Sequence, residues 1–199
     1  MDNKLAKTQA IIDSLDKDKI HILYFKKDLS LRNIYHNPLL LIIRIYNFFS
    51  QRIKVDHVAH ISRFIWNQED NKFEAKIFEA TIERGMEQND LIDKIKNYHG
   101  TVLIETLNKK VCKKKAKLFE IKYTGVSYSK LGALLSDFDG IFDKLKIKDN
   151  GGFCSWLEAL FLMTQGISID HIQKGNPREI TPTDLYNADF EIKRILYKP

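Results

Sequence analysis

Two β-forming runs, His57 to Trp66 and Lys72 to Thr81, flank the polar connector Asn67-Gln68-Glu69-Asp70-Asn71. Turn-forming residues between such runs specify a β-hairpin. Alternation along each strand then decides which side chains share a face. With Trp66 set opposite Lys72, Ala59 lies opposite Glu79, and His57 sits one diagonal step away. His57, Ala59 and Ile61 look the same way as Phe73, Ala75, Ile77 and Glu79, whereas His60 looks to the other face. Diagonal cross-strand neighbours stand about 7–8 Å apart at the backbone, within reach of long side chains. A carboxylate in phase with apolar residues is costly without a partner, so Glu79 is expected to orient the His57 imidazole. A slip of one residue would exchange the two histidines. The ordinary alternative is a half-exposed histidine and a solvated glutamate.

The second constraint is Gly151-Gly152-Phe153-Cys154-Ser155-Trp156-Leu157-Glu158-Ala159-Leu160-Phe161-Leu162-Met163. Two glycines deliver a cysteine to the first turn of an apolar helix, on a tight backbone path expected to expose the thiol. The free N–H groups and positive dipole end of a helix favour an anion, and a thiolate is the nucleophilic form of cysteine. Cys154 is therefore a candidate nucleophile, and equally a small buried hydrophobe at a helix start.

The remaining chain fills in around these two stretches. Leu5, Ile11, Ile12 and Leu15 share one side of a helical wheel, so a short amphipathic helix is expected at about 3–16. Ile20 to Phe25 reads as a strand. Pro38 stands where a helix would begin, and Leu39 to Ile53 is apolar but broken by Arg44, Asn47 and Arg52. That run is too short and too charged to span a bilayer. It is expected as a buried helical insertion at about 30–54, with a helix lying on a membrane surface as the alternative. Thr101 to Leu107 is a further strand. The lysine-rich run Lys109 to Lys117 suggests phosphate binding, but Cys112, Ala116, Phe119 and Tyr123 recur at helical spacing ahead of a capping Gly125. The lysines are then a solvated face, and Cys112 an inert packing thiol. Asp137 to Gly140 marks a turn, Thr181-Pro182 opens a short helix, and Phe190 to Leu196 closes the chain as a strand.

At 199 residues the chain is expected to fold as one domain over 1–199. The formal charge of +6 is compatible with a nucleic-acid, anionic-membrane or acidic partner without choosing among them. Two cysteines are too few for a disulfide framework, and no Cys/His spacing matches a structural zinc site, so neither metal nor cofactor is expected. The N-terminus lacks a signal-peptide pattern, and a cytoplasmic protein is expected.

A histidine opening one strand, a glutamate closing the next, and a late cysteine at a helix start resemble the circularly permuted papain-like hydrolases of the NlpC superfamily, in particular the YiiX/YaeF-like amidases. The family's histidine element is matched by Asp56-His57-Val58-Ala59-His60-Ile61, its Glu-Ala element by Phe78-Glu79-Ala80, and its Gly-x-x-Tyr element by Gly125-Val126-Ser127-Tyr128. Cys154-Ser155 and the proline-led turn Ile180 to Leu185 complete the order. Ala59 stands where glycine is usual, and Trp156 where an acidic residue is common. The resemblance implies an α+β fold with a central antiparallel sheet or small barrel and the cysteine helix packed on it. It implies a cysteine amidase- or peptidase-like hydrolase with Cys154, His57 and Glu79 as the catalytic residues, and Tyr128, Ser155 and Trp156 as substrate-binding residues. Two alternatives stay open: a noncatalytic viral or structural protein of this fold, virion-associated and binding nucleic acid or partners through its basic surface, and a thiol acyltransferase acting on lipid.

Overall fold

The computed structural model describes residues 3–27, 55–135, 151–169, 176–188 and 190–198. The expected helical insertion at about 30–54 and the turn at Asp137 to Gly140 lie outside these residues. Six strands form one antiparallel sheet: β1 (Lys19–Lys27), β2 (His57–Asn67), β3 (Lys72–Thr81), β4 (Gly85–Asp90), β5 (Gly100–Lys110) and β6 (Lys193–Tyr197). Their order is β4-β3-β2-β1-β5-β6. Of the two expected forms, the open sheet is the one found. β1 lies in its middle and is buried on both faces, with Ile20, Ile22, Leu23, Tyr24 and Phe25 at most 2% exposed. That position explains why its apolar run is continuous.

Helices cover both faces of the sheet. α1 (Asn3–Ser14) and α2 (Leu91–Lys96) supply Ile12, Leu91 and Ile95 to a core with Leu23, Phe25, Ala59 and Ile77. On the opposite face, α3 (Lys113–Tyr123), α5 (Cys154–Thr164) and α6 (Pro182–Asn187) pack Phe119, Leu157, Phe161 and Leu185 against Ile22, Tyr24, Val58 and Phe78. α4 (Lys130–Leu135) and a 3-10 turn at Pro177–Glu179 complete the described elements. α6 carries a full capping box, Thr181 accepting from the Asp184 N–H and Asp184 from the Thr181 N–H. The chain is therefore an α+β protein. No helix among the described residues is long and apolar enough to cross a membrane.

The hairpin pairs in a register that differs at its turn and agrees near the site. Trp66 stands opposite Phe73, and Asn67 opposite Lys72, one residue away from expectation. A bulge between Ile61 and Arg63 then absorbs the offset, so that Ile61 faces Ile77 and His60 faces Phe78. One extra residue on one strand shifts everything beyond it by one place. The expected phase of Ala59 and Glu79 is thereby recovered.

Two differences concern 82–112. The chain between β3 and β5 forms β4 and α2, neither evident from hydrophobic periodicity, because β4 is short and polar and owes its place to backbone bonding along β3. Cys112, expected as a packing thiol, is exposed. It precedes α3 with φ −80° and ψ 92°, so the helical wheel stops short of it. Ala116 and Phe119 alone are the buried residues of that helix.

Candidate active site

β2 begins where His57 stands opposite Phe25, and the N–H of the preceding Asp56 donates to the Phe25 carbonyl at 2.9 Å. The imidazole packs against the Phe25 ring, with centroids 5.3 Å apart. Its Nε2 meets Glu79 Oε2 at 2.6 Å, and the Cys154 thiol lies close enough to act on the ring electrostatically. With Nε2 given to the carboxylate, Nδ1 is left for the sulfur. Burial by itself would lower the imidazole's pKa. Cys154 and then Glu79, through hydrogen bonding and charge, outweigh that and raise it from 6.5 to about 9.

Glu79 is wholly buried. Burial pushes its pKa up, but His57 and Lys94 prevail and hold it at about 2. Lys94, from α2, places its ammonium 2.9 Å from Oε1 and 2.8 Å from Oε2. Asn89, from β4, donates Nδ2 to Oε1 at 2.9 Å. The carboxylate costly in sequence thus has three partners. Asn89 and Lys94 were not foreseen, although Asp90 before Leu91, Ile92 and Ile95 is a helix-start signal, and Asp90 does cap α2 by accepting from the Asp93 N–H at 3.0 Å.

Cys154 is the first residue of α5, and Phe153 before it has extended backbone and offers no side-chain cap. The first intrahelical bond runs from the Leu157 N–H to the Phe153 carbonyl at 2.9 Å. The N–H groups of Cys154, Ser155 and Trp156 precede it, at the positive end of the helix. The expected exposure of the thiol is not found, since Cys154 is 5% exposed. Gly152 is needed for room: a Cβ there would overlap the Met86 methyl and the Trp156 ring.

Tyr128 reaches this site through a parallel bridge to Gly152. The Ser129 N–H donates to the Gly152 carbonyl at 2.7 Å, and the Gly152 N–H to the Ser127 carbonyl at 3.1 Å. Burial, then the charge of Cys154, push the Tyr128 hydroxyl above its ordinary pKa, so it stays protonated. Ser155, expected to bind substrate, is wholly buried. Trp156 is half-buried, edge-on to Tyr123 with centroids 5.6 Å apart and 5.4 Å from the Arg178 guanidinium.

A second histidine–carboxylate pair lies on the opposite side of β2. His60 Nδ1 is 2.9 Å from Glu158 Oε2, both are at most 1% exposed, and the His60 ring stacks on Phe161 at 3.6 Å. Glu158 follows Cys154 by one helical turn and was not foreseen. Among the described residues no group of three or more His, Cys, Asp or Glu could hold a metal ion. No protein-family model, curated protein or solved structure matches the chain.

Proposed function

We propose that the chain is a cysteine hydrolase of amides or esters, arranged as in the permuted papain-like amidases it resembles. The observation that carries this is the His57–Glu79 pair, 2.6 Å apart, with the Cys154 thiol near enough to raise the imidazole's pKa. His57 takes the thiol proton on Nδ1 while Glu79 holds Nε2, which sets the tautomer and supports the imidazolium. The sulfur attacks the substrate carbonyl. The developing oxyanion meets the N–H groups at the start of α5, with the protonated Tyr128 hydroxyl beside them as a further donor. The C–N or C–O bond then breaks, the leaving group takes the proton from His57, and an acyl thioester remains on Cys154. Water, deprotonated by His57, attacks that thioester and releases the acid and the free thiol.

Alkylation by iodoacetamide at pH 7, resolved by peptide mapping, tests this without a substrate. Exposed Cys112 is the internal reference. Cys154 is expected to react faster than Cys112 despite its burial, and His57→Ala to slow Cys154 about tenfold or more without changing Cys112. Equal rates at the two cysteines, indifferent to His57→Ala, would overturn the proposal.

A further inference from the structure

A groove of ≈ 430 Å³ lies where β2 approaches the hairpin turn, bounded by the α1–β1 connection and the start of α3. It is separate from the Cys154 site, which meets β2 at its first residue. The floor is apolar, formed by Ile61, Phe64, Phe73, Val111 and Ala116. Lys17, Lys19, Arg63, Lys113 and Lys117 line it, against the single carboxylate of Glu120. Two of these cations are committed. Lys17 donates to the carbonyls of Ile12, Asp13 and Leu15 at 2.7–2.9 Å, and Lys113 pairs with Asp18 at 2.7 Å. Among the described residues Arg63 bonds only the neutral Gln88 amide, at 2.6 Å, and no carboxylate pairs with Lys19 or Lys117. Three cations with no carboxylate partner among the described residues thus converge over an apolar floor.

We infer that this groove docks an acidic peptide segment that alternates carboxylate and aliphatic side chains. Its charge calls for an anionic partner, and its floor calls for apolar side chains between the charges. Nucleic acid meets the first demand but not the second. Its flat bases need free aromatic faces, whereas the Lys17 ammonium stands over both Phe64 and Phe73, 4.7 and 4.5 Å from their centroids, which leaves the aliphatic Ile61, Val111 and Ala116 as the floor a partner would meet. The lysine run at the start of α3 thereby becomes one wall of a protein-binding groove.

The test is fluorescence anisotropy with the full chain and a labelled peptide of alternating Glu and Leu. A Glu/Ser peptide of the same length and an oligothymidylate of equal charge serve as comparisons. Saturable binding of the Glu/Leu peptide is expected, about tenfold tighter than either comparison. It should weaken about tenfold in Lys19→Glu/Lys117→Glu and also with added salt. A milder Lys19→Gln/Lys117→Gln variant, checked by its thermal melt, guards against loss of fold. Equal binding of the Glu/Ser peptide, tighter binding of the oligothymidylate through the same residues, or no saturable peptide binding would each overturn the inference.

Discussion

At the scale of single residues, the site is governed by two opposed proton affinities. The Glu79 carboxyl, held at about 2 against an ordinary 4.5, contributes stability that is complete above its unfolded pKa and lost as pH falls from 4.5 through about 2. His57, raised from 6.5 to about 9, has the opposite sign. Its contribution is complete below pH 6.5 and lost as pH rises through about 9. Urea unfolding of the wild type should therefore weaken at both ends. Lys94→Met removes a cation that holds Glu79 ionised, so the acid limb should move to higher pH. At pH 7 the same change should cost about 1–2 kcal/mol, discounted because Lys94 is 28% exposed. An acid limb that stays put in Lys94→Met would mean that the ion pair does not tune Glu79.

At the scale of elements, the cysteine is delivered by packing. Gly152 lies between the Met86 methyl and the Trp156 ring, and its backbone bonds the 127–129 segment that carries Tyr128. Gly152→Ala should push β4 and the start of α5 apart, costing about 1–3 kcal/mol as overpacking does. Cys154 alkylation should slow with it, while Gly125→Ala, at a position with open space but φ +80°, should leave that alkylation unchanged. Equal alkylation rates in Gly152→Ala and the wild type would show that the close approach does not position the thiol. The wider packing rests on local rules visible in the chain. A hairpin connector, a Thr-Pro helix start and a helical wheel at 4–15 mark elements that the structure contains. β4 was hidden because its pairing with β3 is backbone chemistry, to which side-chain periodicity is blind. The bulge that corrects the hairpin register was hidden for the same reason.

At the scale of the whole molecule, α5 is fastened to the sheet by the buried His60–Glu158 pair as well as by its apolar face. Removing one partner leaves the other's polar atom buried and unmatched, so Glu158→Leu should cost about 1–3 kcal/mol. Replacing both, in His60→Leu/Glu158→Leu, should recover much of that loss, since apolar substitutes of similar volume often stabilise as well as a buried pair. Chemical denaturation of the two variants reads this. A double variant no more stable than the single one would mean that the pair is worth more than packing. The sequence by itself determined the α+β class, the hairpin, the helix start at Cys154 and the costly phase of Glu79, because alternation, capping and turn chemistry act between near neighbours. Only the tertiary structure decided that Cys154 meets His57, that Lys94 and Asn89 converge on Glu79, and that Cys112 stays in solvent. Those contacts join parts of the chain far apart in sequence, and the shape of the folded sheet, which no local rule encodes, brings them together.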